Sequence, residues 1–200
     1  MNSISGLIAL SMLIVVVLGW FAFTMIFLLR KKRVVTEEQK RDKASIIGIV
    51  LQMIGFGLVW SIRRPMFSAI GGSSTGLNAF LLIIEILFVV GSIWLVTKVV
   101  QTLGKQWSLT ARLVKDHNLV IEGPYRVVRH PIYTGMMGML FATGLATSYW
   151  WVIGLALSVF ICGTIIRFRI EERLLRGQFG RVYDEYAVRV PALIPLTKGL

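Results

Sequence analysis

Cysteine and histidine are scarce in this sequence of 200 residues, which has one cysteine and two histidines. The lone Cys162 cannot form an intrachain disulfide, and its place in an apolar run favours a structural thiol over a nucleophile. His117 and His130 have no cysteine or carboxylate at the spacing of metal ligands. The sequence therefore predicts no metal and no cysteine chemistry.

Acidic residues are also few, with 10 Asp and Glu against 22 Lys and Arg, a net charge of +12. The chain is 56% hydrophobic and its mean hydropathy is +0.73, which is typical of an integral membrane protein. Basic residues collect in cytoplasmic loops and near anionic lipid headgroups. We therefore interpret the charge as topology and lipid contact, and expect no nucleic-acid partner, since such proteins usually carry a basic face on a soluble fold.

Five apolar runs predict membrane-spanning helices, of which the fourth is unusually short. They are Gly6–Leu29, Ala44–Trp60, Leu77–Val100, Ile132–Ala146 and Trp150–Ile166. Ser148 and Tyr149 form a tight turn between the last two runs. The short run is compatible with tilt, with local thinning of the bilayer, or with a hairpin that does not fully cross. The predicted fold class is an all-α integral membrane protein of one domain, without a Rossmann fold.

The basic residues predict the orientation of the chain. Seven lie between positions 30 and 43, two in the next loop, six between 98 and 129, and seven from position 167 onward. We therefore expect the amino terminus outside and the carboxyl terminus inside, with the first helix retained rather than cleaved. Short loops are compatible with a bacterial or archaeal inner membrane.

The two halves of the chain differ in where polar residues fall. Residues 1–100 are mostly apolar and predict a helical scaffold, although Glu85 lies in the middle of the third run. A carboxylate there is costly unless it is paired, protonated or facing a cavity, and we favour a structural hydrogen bond. In residues 101–200, polar segments at 104–130 and 167–189 flank the hairpin on the cytoplasmic side. A functional site is predicted where these segments meet.

The polar segments carry a set of motifs with a consistent order and spacing. Before the hairpin stand His117-Asn118-Leu119-Val120, Gly123-x-Tyr125 and Arg129-His130-Pro131-x-Tyr133-x-Gly135. After it stand Glu171-Glu172-x-x-Leu175, Phe179-Gly180, Tyr183, Tyr186 and a tail from Val190 to Pro195. Together these motifs, which run from about residue 104 to the end, resemble the isoprenylcysteine carboxyl methyltransferase family.

The resemblance implies S-adenosylmethionine as cofactor, bound between the hairpin and the cytoplasmic segments. It implies that His117, Leu119 and Val120 line the nucleotide, that Tyr125, His130 and Tyr133 hold the methionine and ribose, and that Asn118, Arg129 and Glu171 also contact the cofactor. Arg167 would face the substrate and act in catalysis with Glu171. Four residues apart on one helix, these two share a face, and without the resemblance they favour a simple ion pair at the end of a membrane helix. Backbone amides at the helix start after His130 would favour the carboxylate of the cofactor.

The acceptor implied by the resemblance is a lipophilic carboxylate, such as a prenylated small molecule or protein reached through the membrane lipid. The wider group also contains enzymes that methylate phospholipid amines and small thiols, so these acceptors stay open. Sterol reductases share a similar Arg-His-Pro-x-Tyr element with a nicotinamide cofactor, but this chain is short for their architecture. A non-enzymatic membrane scaffold or small transporter is the remaining alternative.

Overall fold

A computed structural model describes residues 3–29, 38–41, 45–104, 112–114 and 119–195. Two of the predicted cofactor contacts, His117 and Asn118, lie outside these ranges. The remaining predicted site residues are all placed.

The described part of the chain is almost entirely helical, which confirms the all-α prediction. The helices are α1 (Ser3–Leu28), α2 (Ser45–Ser61), α3 (Thr75–Leu103), α4 (Pro131–Thr147), α5 (Trp150–Phe179) and α6 (Arg181–Arg189). A short 3-10 helix, Gly123–Arg126, precedes α4. The sequence did not predict an antiparallel ribbon that joins β1 (Glu38–Arg41) to β2 (Arg112–Val114), two segments predicted on the cytoplasmic side.

Three of the described helices, α1, α3 and α5, are long and apolar enough to cross a membrane. The helices α2 and α4 have 17 residues each, which at ~1.5 Å per residue is about 26 Å, short of the ~30 Å hydrocarbon core. Large apolar side chains such as Leu7, Phe21, Leu87 and Trp94 remain exposed on α1 and α3, as expected where lipid covers a helix. The protein is therefore a membrane protein, and full crossing by α2 and α4 stays a prediction.

The short helix α4 is the centre of the bundle. It packs against α1, α2, α3 and α5, while α1 also packs on α3 and α2 on α5. Rings of Trp20 and Phe56, 5.1 Å apart, join α1 to α2. The small residues Gly135 and Gly138 admit Val96 and Ser92 of α3 against the backbone of α4. Small residues thus let α4 fit among its neighbours, as they do in many membrane bundles.

Two glycines bring α2 and α5 into close contact. A Cβ atom at Gly163 would lie 2.6 Å from the carbonyl oxygen of Gly48. A Cβ atom at Gly48 would lie 2.4 Å from Cγ of Arg167. The backbone of α2 therefore lies directly against the stem of a predicted site residue.

Arg64 fastens the turn of the hairpin to the α2–α3 loop. Its guanidinium donates to the carbonyl oxygens of Leu145, Ala146 and Ser148 at 2.6 to 3.0 Å, and its amide donates to that of Thr147. A cation at the carboxyl end of α4 also interacts favourably with the helix dipole.

Glu85 of α3 is fully buried, and both of its carboxylate oxygens lack a hydrogen-bond partner among the described residues. This differs from the structural hydrogen bond favoured from the sequence. The opposite charge that acts on the carboxylate is that of Arg64.

The helix α5 extends 13 residues past Ile166, where its apolar run ends, and stops at Gly180, whose φ is 52°. The Arg, Glu and Leu residues of this extension are strong helix formers, so the helix continues after the hydropathy falls. Arg167, Glu171 and Glu172 therefore project from a continuous helix that begins at the hairpin turn.

Candidate active site

His130 lies between two carboxylates where α4 begins. Its Nδ1 atom is 3.5 Å from Oε2 of Glu171, and its Nε2 atom is 3.1 Å from Oε1 of Glu172. The ring also stacks on Tyr133 and Phe168, with centroids 5.9 and 5.3 Å away. The imidazole thus joins the start of α4 to consecutive residues of α5.

Glu171 joins three of the predicted site residues. It accepts a hydrogen bond from the Tyr133 hydroxyl in addition to its contact with His130. Nη2 of Arg167 lies 3.7 Å from Oε1 of Glu171, and the guanidinium carbon lies 5.0 Å from the centroid of the Tyr133 ring. The shared face predicted for Arg167 and Glu171 is confirmed. The pair belongs to a larger group of contacting side chains, called the cluster below, which consists of Arg129, His130, Tyr133, Arg167, Glu171 and Glu172.

Glu172 is a site residue to which the sequence analysis gave no role. It accepts hydrogen bonds from Nε of Arg129 at 2.9 Å and from Nη2 of Arg176 at 3.3 Å, besides its contact with His130. Its position beside Glu171 in the motif was the available signal. Sequence alone does not show that adjacent carboxylates on a helix reach the two nitrogens of one imidazole.

Arg129 connects the cluster to the carboxyl-terminal segment. Its Nη1 atom donates to the carbonyl oxygens of Ala187 and Val190, both at 2.6 Å, while its Nε binds Glu172. These contacts place charge at the end of α6, where a cation favours the helix dipole. The side chain is therefore engaged by protein groups; its predicted contact with a cofactor stays a prediction.

The tail from Pro191 to Leu193 lies along the start of α4. The amides of Arg129 and His130 donate to the carbonyl oxygens of Pro191 and Ala192 at 2.8 and 2.9 Å. The Thr134 hydroxyl donates to that of Leu193 at 2.7 Å. The tail therefore occupies the amides of Arg129 and His130, and the anion expected at the amides that follow His130 stays a prediction.

Tyr125 lies on the 3-10 helix beside the cluster. Its carbonyl oxygen accepts from the Tyr186 hydroxyl at 2.7 Å, which ties the segment to α6. Burial raises the pKa of the Tyr125 phenol, and the nearby charge of Glu171 raises it further. The phenol is therefore a protonated hydrogen-bond donor. Leu119 and Val120, predicted to line a nucleotide, are half-buried in the segment before it.

Electrostatics favour a charged His130. Burial alone would lower the pKa of the imidazole, but hydrogen bonds to Glu171 and Glu172, together with their charges, outweigh burial and raise the pKa above its ordinary value. The imidazolium then donates from both nitrogens to a carboxylate. The imidazolium of His130 therefore lies between the two glutamates, and each carboxylate contacts it.

The cluster is unequally open. The side chain of Glu171 is 24% exposed, whereas those of Arg129, His130, Glu172 and Arg167 are 5 to 9% exposed. A carboxylate attracts cations, and the Tyr133 hydroxyl holds that of Glu171 in place. The cluster can therefore present a fixed, partly accessible anion to a small cationic group.

Comparison with known proteins assigns this region to a family. A model described as phospholipid methyltransferase matches residues 80–182, about half of the chain. The match covers most of α3, all of α4 and α5, and every residue of the cluster, and it leaves out α1 and α2.

Similar curated proteins include three methyltransferases. Methanethiol S-methyltransferase 2 of Bradyrhizobium diazoefficiens is 35% identical over 71 residues, 36% of this chain and 26% of that protein. Protein-S-isoprenylcysteine O-methyltransferase B of Arabidopsis thaliana is 33% identical over 98 residues, 47% of this chain and 49% of that protein. The Schizosaccharomyces pombe protein-S-isoprenylcysteine O-methyltransferase is 35% identical over 88 residues, 41% of this chain and 35% of that protein. The chain thus spans half or less of these relatives, and the resemblance predicted from the motifs is confirmed.

The charge of His130 leads to a prediction about pH. Because its folded pKa is raised, its contribution to stability is complete below the unfolded pKa of about 6.5 and is lost as pH rises through the folded pKa. We expect the melting temperature of the purified protein to fall above pH 6.5, and the fall to be smaller in His130→Gln. The measurement is a series of thermal melts from pH 6 to 10. An equal fall in both proteins would mean that another group titrates.

Proposed function

The chain belongs to the phospholipid methyltransferase family, and on that premise we propose that it is an integral membrane methyltransferase that uses S-adenosylmethionine. The observation that carries the proposal is the partly exposed Glu171 carboxylate, held by Tyr133, His130 and Arg167 within the matched region. The acceptor we propose is lipophilic, with a carboxylate like that of an isoprenylcysteine. The names of the Arabidopsis and Schizosaccharomyces relatives support this choice.

The described residues fit the chemistry of this cofactor. Its sulfonium and ammonium groups are cations, and Glu171, whose side chain is 24% exposed, offers an anion that the Tyr133 hydroxyl holds in place. The half-buried Leu119 and Val120 would line the adenine, with His117 and Asn118 immediately before them in sequence. When bound, the cofactor supplies an activated methyl group. The protein holds the charged side chains that would contact the cofactor in largely buried positions.

Arg167 would orient the acceptor. Guanidinium groups bind carboxylates through paired, charge-assisted hydrogen bonds. The Arg167 side chain is 9% exposed and adjoins Glu171, so acceptor and donor contacts lie side by side on α5. A carboxylate acceptor needs no general base, because it is already anionic. Neutralising that anion is favoured in a site shielded from water, and positioning adds to the rate.

An amine or thiol acceptor is the second candidate. The description of the matched family names phospholipid, and the name of the Bradyrhizobium relative names methanethiol. Such acceptors must lose a proton, and Glu171 would be a weak base for it: burial alone would raise its pKa, but His130, Arg167 and Tyr133 lower that pKa below its ordinary value. Amine and thiol acceptors need no guanidinium clamp, so the effect of replacing Arg167 separates the two candidates.

A groove between α3 and α4 supports a lipophilic acceptor. Its volume is about 380 Å³, within the range of roughly 300–1,000 Å³ typical of ligand sites. The lining residues include Leu87, Gly91, Leu95, Thr134, Gly138 and Phe141. Leu157 of α5 also lines this groove between α3 and α4. One lining residue, Thr134, follows Tyr133 of the cluster in sequence. We propose that the hydrocarbon chain of the acceptor occupies it.

Cofactor binding is the first test. Calorimetric titration of the detergent-purified protein should show saturable binding of S-adenosylmethionine and of its demethylated product, because Glu171 attracts the cation and Leu119 and Val120 offer apolar contacts to the adenine. NADPH should not bind. Binding of NADPH alone would point to a reductase, and absence of all binding would favour the scaffold.

Replacement of Arg167 tests the acceptor. Arg167→Ala should lower turnover of a farnesylcysteine carboxylate by about a hundredfold or more, as when an electrostatic donor is removed from an active site. Affinity for S-adenosylmethionine should change little. Arg167→Lys keeps the charge without the planar fork and should fall between the two. Wild-type turnover in Arg167→Ala would contradict the clamp and favour an amine or thiol acceptor.

Filling the groove tests the lipid chain. A Cβ atom at Gly91 meets no atom within 4 Å, so Gly91→Trp can occupy the groove without displacing a helix. We expect KM for a long-chain acceptor to rise at least about tenfold, since displacing two buried CH₂ groups costs ~1.6 kcal/mol. A short-chain analogue with the same head group should be unaffected. Gly154→Trp, which also faces open space on α5, is the matched control; equal effects of both variants would exclude the groove.

A further inference from the structure

Gln52 links α2 to the active-site cluster. It is 3% exposed in an otherwise apolar helix. Its side-chain nitrogen donates to Oγ1 of Thr164 at 2.9 Å, and its side-chain oxygen accepts from Nη1 of Arg167 at 3.2 Å. Thr164 and Arg167 lie three residues apart on one face of α5, so a single amide contacts both.

The amide has a defined orientation. Thr164 is 1% exposed, and its hydroxyl is the partner of the amide nitrogen. With the nitrogen engaged, the oxygen of the same amide is directed to Arg167. An unpaired amide in this apolar setting would be costly, which favours the arrangement in which both ends are used.

The stem of Arg167 is constrained by the same helix. Gly48, one turn before Gln52, lies so close that a Cβ atom there would be 2.4 Å from Cγ of Arg167. Thus α2 bounds the aliphatic part of the side chain with backbone and its head group with an amide. The other terminal nitrogen, Nη2, lies on the Glu171 side at 3.7 Å from Oε1.

We propose that Gln52 is a positioning residue, which holds the guanidinium of Arg167 in the orientation that binds the acceptor. The inference rests on the proposed function, since it assigns Arg167 to the acceptor. Gln52 lies outside residues 80–182, so neither the family match nor the motifs assign it a role. The amino-terminal half of the chain would then contribute to catalysis and not only to the scaffold.

The test compares Gln52→Leu with Gln52→Glu. Leu fills a similar volume without polar atoms, so kcat/KM for the acceptor should fall roughly tenfold to hundredfold, as expected when a hydrogen bond to a charged group is lost. Affinity for S-adenosylmethionine should be unchanged. Glu keeps an oxygen toward Arg167, but its negative charge would compete with the acceptor carboxylate for the guanidinium, so Gln52→Glu should also lower kcat/KM for this acceptor. A residue that only joins helices would change stability without this selective effect on the acceptor.

A matched control removes another side-chain hydrogen bond between helices, one that is partly buried. The indole nitrogen of Trp20 donates to Oγ1 of Thr143 at 3.0 Å, in contacts that include no residue of the cluster. Thr143→Val should lower the melting temperature but leave kcat/KM for the acceptor unchanged. An equal kinetic loss in this variant would overturn the specific role of Gln52.

A double-mutant cycle shows whether Gln52 acts through Arg167. If it does, Gln52→Leu has little further effect on the residual turnover of Arg167→Ala. The inference is overturned if the two losses multiply, or if Gln52→Leu retains wild-type kinetics while Arg167→Ala does not. Wild-type kinetics in Arg167→Ala would instead reject the clamp. A wild-type protein without turnover or cofactor binding would reject the proposed function, and the role of Gln52 with it.

Discussion

The contact of His130 with Glu171 and Glu172 holds the carboxyl-terminal helices of the molecule together. One imidazole joins the start of α4 to α5, and Glu172 extends the contact through Arg129 to the carbonyl oxygens at the end of α6. Buried charges are costly unless each has a partner, and removal of one partner leaves another uncompensated. The positions of α4, α5 and α6 are therefore interdependent through a few ionisable side chains.

The long helix α5 explains how a membrane bundle carries a polar site. Its apolar part packs against α2 and α4, and its extension carries Arg167, Glu171 and Glu172 without a break. Side chains on a helix are positioned more rigidly than those on a loop, which suits a site that must place a guanidinium beside a carboxylate. At the opposite end of α4, Arg64 fixes the hairpin turn by its contacts with three carbonyl oxygens.

Hydropathy was sufficient to predict α1, α3 and the apolar part of α5, because each is a long run of one character. Hydropathy placed the end of the fifth span at Ile166. The helix continues to Phe179 because helix propensity persists where hydropathy falls. The motifs placed Tyr133, His130 and Glu171 around one predicted cofactor, and the structure brings their side chains into contact. The bond from Gln52 to Arg167 joins residues 115 positions apart, and no local pattern encodes such a contact. The β1–β2 ribbon escaped prediction because short polar strands resemble loops.

Glu171 and Arg167 differ in the exposure of their side chains, and this difference gives them different electrostatic roles. Glu171 is the open anion, suited to a cationic donor, whereas Arg167 is the buried cation behind it, with α2 on its other side. Had both groups been exposed, water would screen their charges and weaken their preference for opposite partners. Burial of Arg167 keeps its electrostatic field strong. The field acts at one place only if the side chain has a fixed orientation, because a mobile long side chain would spread its charge over many positions. The close packing of α2 on α5 supplies this constraint, so the helix without a family motif is part of the physical basis of the site.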